Sequence, residues 1–133
     1  MGRLRESLIE LIRRTSAEIP DDVQSAILRG LEQEKKGTIA KSAMEIIERH
    51  IGLAKSKSQP ICQDTGSILF YIDCPVGLNQ IEFGQEAREA VKEATKLGYL
   101  RQNSVDSITG KNDGTNLGSG APNLHFHQHE SGD

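Results

Sequence analysis

The chain has 133 residues, enough for one domain with a real apolar core. Lysine and arginine number 16 against 19 aspartates and glutamates, a net charge of −3, which leaves no broad basic field for nucleic acid or an anionic membrane. No apolar run approaches the ~18 residues of a membrane span. Met1 to Arg14 mixes charged and apolar positions unlike a signal peptide, so a cytoplasmic location is expected.

Leu4, Leu8, Leu11, Ile12 and Ile19 recur at mostly three- or four-residue spacing, which predicts a first helix with one apolar stripe. Pro20 with Asp21 and Asp22 marks a break and a second helix start, with Val23, Ala26, Ile27 and Leu31 as the expected buried face and Gly37 as its end. Thr38 is a natural cap for a third helix running to about Lys57, on which Ile39, Ala43, Ile46, Ile47, Ile51 and Ala54 keep helical spacing. These first 57 residues read as a helical unit.

At Ser58-Gln59-Pro60 the character changes, because proline disfavours helix in the residue before it. Ser67 to Asp73 is apolar and rich in strand formers over a length too short for a typical helix, so a buried strand is expected there, closed by Pro75 and Gly77. Gly84 to Leu97 returns to helix, with Ala87, Ala90, Val91 and Ala94 forming a small-residue face suited to close packing, and Gly98 as terminator. Arg101 to Asn123 is dense in Asn, Asp, Ser and Gly and is too long for an ordinary connection, which makes it a functional loop by default.

His125, His127 and His129 alternate along a final strand and share one face. Imidazole binds zinc, nickel or copper, yet three ligands along one strand stand too far apart to close on a single ion, and ordinary half-buried strand positions account for them. Asp21 and Asp22 suit a helix start, Lys35 and Lys36 a helix end, and His50 has no evident partner.

Chemistry concentrates at Ile61-Cys62-Gln63-Asp64-Thr65-Gly66, where a thiol, an amide, a carboxylate and a hydroxyl follow one another before a glycine that permits a turn or close approach to a ligand. Local hydrogen bonding in a turn before the strand would explain the polar residues equally well. Cys62 and Cys74, without a secretory signal, suit a metal or redox role better than a disulfide, although a free cysteine is often only a small buried hydrophobe.

The run Pro60 to Gly66 followed by a buried strand resembles the signature of the class I, iron-sulfur-dependent fumarate hydratase and L-tartrate dehydratase family. Downstream, Tyr99-Leu100-Arg101, Asn103-Ser104-Val105-Asp106, Gly110-Lys111-Asn112 and Asn116 resemble the family's second block, ending in a histidine-bearing strand like Asn123 to His129. The resemblance implies that Cys62 is one of three thiolates holding a [4Fe-4S] cluster. It further implies that Gln63 and Asp64 face the substrate, with Asp64 catalytic, and that Arg101 grips a substrate carboxylate. Thiolate is the soft ligand such clusters require, and guanidinium offers a planar fork matched to a carboxylate.

The expected fold is α+β, N-terminal helices packed with a small mixed sheet, as part of an iron-dependent hydro-lyase's cluster-binding domain. Residues 1–133 would be one domain, with a helical unit 1–57 and a motif-bearing part 58–133. The implied reaction is the reversible hydration of fumarate to L-malate, a tricarboxylic acid cycle step, with the cluster as Lewis acid and the proton moved by a base from a second (beta) subunit or domain. A dimer of the alpha-beta pair is the implied assembly.

One departure stands out. Three thiolates need two further cysteines, and Cys74 lies where the family places no ligand. The family's cluster subunit is also longer, so the chain is expected to be an N-terminal fragment, inactive alone. L-tartrate or a methylated analogue is the alternative substrate. The rival from another class is a non-catalytic module holding a small anion or a partner, which would not need Cys62.

Overall fold

The computed structural model describes residues 2–61, 67–118 and 120–130. The elements run in the order α1 (Gly2–Ala17), α2 (Asp21–Gln33), α3 (Ile39–Lys57), β1 (Leu69–Pro75), α4 (Gln80–Lys96) and β2 (Asn123–His129). This is the α+β arrangement expected from sequence, and the described residues contribute two strands to its sheet. They pair in parallel, Leu69 opposite Asn123 through Pro75 opposite His129. Parallel neighbours need a long crossover. Here α4 and the polar loop that follows it supply that crossover.

The core lies between α1, α4 and the inner face of β1, where Leu8, Ile12, Phe70, Ala87, Ala90, Val91 and Ala94 meet. The four α4 residues are 0 % exposed, so the small-residue face does bring this helix close to its neighbours. Phe83 and Phe126 meet edge to face, 5.7 Å between ring centres, and extend the core under β2. Arg5 clamps the two helices by donating to both carboxylate oxygens of Glu86 at 2.9 Å. That guanidinium hydrogen bond holds the Glu86 carboxyl below the usual carboxylate range.

Helix ends follow local chemistry. Thr38 caps α3 by accepting from Lys41 N at 3.1 Å, and Asn79 caps α4 by accepting from Glu82 N at 3.2 Å. Gly98 adopts the left-handed conformation just past α4, as a helix terminator should, whereas α2 already ends at Gln33 with an extended Glu34, and the left-handed Gly37 belongs to the turn before Thr38.

Several expectations shift, among them the start of α4, which lies at Gln80 behind the Asn79 cap and not at Gly84. None of the α2 residues is buried, although Val23, Ala26, Ile27 and Leu31 were expected to be its covered face. The apolar stripe exists, but α2 packs chiefly on α3, and none of its residues joins the core cluster. Strand β1 begins two residues later than expected and includes Pro75, which proline's missing N–H permits on a strand with an open edge. The outer face of the sheet, including Tyr71, Asp73, His125, His127 and His129, is exposed.

Candidate active site

Three elements meet the described residues on either side of the Cys-Gln-Asp-Thr-Gly segment in the chain. Cys62, Gln63 and Asp64 themselves lie outside the described residues, so the site is built from the residues that flank them in the chain. On the upstream side, Gln59 N–H donates to Ala54 O at 3.1 Å, which follows α3 closely, and Ile61 N–H donates to Ser16 O at 3.0 Å. The residue before Cys62 is therefore tied to the last turn of α1 and its predecessors to the end of α3. Pro60 is buried in that junction. On the downstream side, Asn123 N–H donates to Ile68 O at 2.9 Å and ties the run into β1 to the start of β2.

The third element is the end of α4. Tyr99 N–H donates to Ala94 O at 3.0 Å, and Tyr99 and Leu100 pack against the core, so the chain leaves the helix on a fixed course. Arg101 follows directly. It lines two clefts: one of about 270 Å³ with Ser67, Ile68, Ser104 and Asn116, and one of about 380 Å³ with His50, Lys57, Gln59 and Pro60. The first cleft touches the residue just after the motif and the second touches residues just before it. Arg101 is thus the described charged side chain common to both flanks, and its Nε is buried.

The loop after Arg101 is held by its own side chains. Asp106 accepts from Ile108 N and Thr109 N, and Asp113 from Thr115 N, which are turns of the type short acidic side chains favour. These hydrogen bonds, the Thr109 backbone bond first for Asp106 and the Thr115 hydroxyl first for Asp113, lower both carboxyl pKa values. Asn112 donates to Gln102 O at 2.7 Å and accepts from Gly114 N.

Asn116 enters the sequence reading as part of the second resembling block without a role, and the structure supplies one. It is buried, sits at a positive φ of 58°, and makes hydrogen bonds to Thr95, Arg101, Asn103 and Ser104. The available signal was Thr95, which continues the α4 face of Ala87, Ala90, Val91 and Ala94 by one polar position and therefore needed a buried partner.

The histidine face carries no such convergence. His127 Nδ1 lies 3.2 Å from Asp73 Oδ1, and the His125 ring stacks on Tyr71 at 5.0 Å. Among the described residues no group of three or more His, Cys, Asp or Glu side chains is placed to hold a metal ion. Cys74 is 2 % exposed, on the inner face of β1. Five strand steps of about 3.3 Å separate it from Leu69, where the strand begins after the motif. No helix among the described residues is long and apolar enough to cross a membrane.

A family model described as fumarate hydratase (Fumerase) matches residues 5–133. A provisionally named class I fumarate hydratase of Geobacillus stearothermophilus is 46% identical over 130 residues, covering 98% of this chain and 25% of that protein. A provisionally named L(+)-tartrate dehydratase subunit alpha of Methanocaldococcus jannaschii is 29% identical over 97% of this chain and 46% of its own length. The L(+)-tartrate dehydratase subunit alpha of Escherichia coli K12 is 29% identical over 92% and 40% respectively. The chain thus spans less than half the length of each of these relatives.

Proposed function

The chain belongs to the fumarate hydratase (Fumerase) family, and on that premise we propose that it is the N-terminal part of the cluster-binding subunit of a hydro-lyase that hydrates fumarate reversibly to L-malate. The observation that supports this reading is the position of Arg101, which lines one cleft with Ser67 and Ile68, the residues following Cys62–Gly66 in the chain, and another with Gln59 and Pro60, which precede it. The choice of fumarate over tartrate rests on 46% identity to a protein named for the first against 29% to proteins named for the second.

The donor set of this sequence fits one corner of a [4Fe-4S] cluster. Cys62 is the candidate thiolate, and Cys74, buried under the sheet, is not. The remaining thiolates would come from outside these residues. When bound, such a cluster supplies a Lewis acid that draws negative charge off the substrate oxygen.

The chain's own side chains would do the rest. Arg101 holds one substrate carboxylate through its two-pronged guanidinium, fixing the dianion in register. Gln63 offers an amide that donates and accepts, and Asp64 offers a carboxylate to the substrate hydroxyl. The proton removed from carbon goes to a base contributed by a second, beta subunit or domain. Exposed Ile39, Ile46 and Ile47 on α3 and the bare outer face of a parallel sheet support an assembly larger than this chain, because parallel sheets ordinarily have both faces covered. We take the assembly to be a dimer of alpha-beta pairs.

The test is anaerobic reconstitution of the complete alpha subunit with its beta partner, followed by turnover assays on fumarate and L-tartrate. Fumarate hydration by the pair, with none from residues 1–133 alone, is the expected result. A preference for tartrate would transfer the chain to that activity, and turnover of neither would favour a non-catalytic anion- or partner-binding module.

A further inference from the structure

We propose that Asn116 is the positioning residue that fixes where Arg101 stands, a role that rests on the substrate-binding reading of Arg101. The segment from Arg101 to Ser104 belongs to neither helix nor strand, so its peptide groups have no ladder to join. The Asn116 side chain takes that part. Its Oδ1 accepts from Asn103 N at 3.0 Å and from Ser104 N at 3.1 Å, while its Nδ2 donates to Arg101 O at 2.7 Å.

The fourth bond anchors the cluster to the fold. Asn116 Nδ2 also donates to Thr95 Oγ1 at 3.0 Å, and Thr95 in turn donates to Val91 O at 2.7 Å within α4. An asparagine amide has two donors and one oxygen with two lone pairs, and all four positions are engaged here. Both Asn116 and Thr95 are buried, at 5 % and 4 % exposure, where each polar group must be paired to be tolerated. The backbone of Arg101 is therefore referenced to a rigid helix through one amide.

The residue type follows from two demands. At φ 58° the backbone favours glycine or asparagine, and only asparagine also supplies two donors and an acceptor at this reach. Aspartate would keep the bonds to Asn103 and Ser104 but turn a carboxylate oxygen toward the Arg101 carbonyl.

The experiment is a double-mutant cycle on the assembled holoenzyme, using Asn116→Gly, Thr95→Val, Arg101→Lys and the pairs, with fumarate kinetics, iron content and melting curves. Asn116→Gly keeps the backbone conformation and removes the four bonds, and Thr95→Val keeps shape and removes the anchor together with the Thr95 bond to Val91 O. Raised KM for fumarate, roughly tenfold for Asn116→Gly and smaller for Thr95→Val, is expected, with iron content unchanged and kcat much less affected. In the Arg101→Lys background the same changes should raise KM by less than about twofold, because they act through the side chain already lost. Equal effects in both backgrounds overturn the proposal, as does a normal KM in Asn116→Gly beside a raised one in Arg101→Lys. An Arg101→Lys enzyme with wild-type KM overturns the substrate role of Arg101 and this proposal with it. If Asn116→Gly does not fold, Thr95→Val decides by the same criteria.

Discussion

Ala90→Leu tests whether α1 and α4 are packed as closely as the core requires. Ala90 is 0 % exposed, as are Ala87, Val91 and Ala94 beside it, so three added carbons have no solvent to enter and must push against the Leu8, Ile12 and Phe70 cluster. Such overpacking costs about 1–3 kcal/mol. Alanine and leucine differ little in helix propensity, so this cost is steric and not intrinsic to the helix. At about 4 °C per kcal/mol for a domain of this size, the melting temperature should fall by roughly 4–12 °C. The control is Glu89→Leu, one position earlier on the exposed side, which should stay within about 0.5 kcal/mol of the parent. The assay is thermal unfolding followed by circular dichroism on all three proteins. Equal melting of the two variants would refute the packing argument, since it would mean that the interface has room to spare.

Further predictions follow from single contacts. Glu86→Gln removes the charged partner of Arg5; because the carboxyl titrates lower in the folded state, its contribution is full above the unfolded value of about 4.3 and lost as pH falls through the lowered folded value. Urea midpoints should therefore show parent above variant at pH 7 and the gap closing in acid; a gap that widens on acidification would contradict this. Thr38→Ala deletes the cap on Lys41 N and should cost about 1 kcal/mol, read by the same unfolding curves, with no loss meaning that water replaces the hydroxyl. Arg101→Lys in the complete enzyme keeps a charge but not the planar fork. Losing one charge-assisted bond of about 1.5–3 kcal/mol should lower kcat/KM roughly ten- to a hundredfold, with melting and iron content steady. A variant that melts low or loses iron while its active fraction turns over normally would make Arg101 structural.

What sequence made legible here was local. Thr38 marks the start of α3, and Ala87, Ala90, Val91 and Ala94 mark the buried face of α4, because capping and periodicity act within a few residues. The exposed stripe of α2 was misjudged for the same reason: periodicity tells which side is apolar, not what covers it, and Val23 is 43 % exposed. The pairing of β1 with β2 joins residues separated by a helix and a long loop, and no local pattern announces it. At the site, Arg101 was found by resemblance and its place beside both flanks of the motif by structure. The role of Asn116 was not legible, although the resemblance included it, because its four partners are assembled only when the loop returns to α4.

The most direct measurement of the central claim, that Cys62 is a cluster ligand of a hydro-lyase, is the visible absorbance and iron content of the complete subunit carrying Cys62→Ser or Cys74→Ser. Thiolate ligation predicts that Cys62→Ser loses the iron-sulfur absorbance and all hydratase activity. Cys74→Ser, altering a side chain buried on the inner face of β1, should keep both. Retained absorbance in the Cys62→Ser protein, or equal loss from both substitutions, would contradict the assignment.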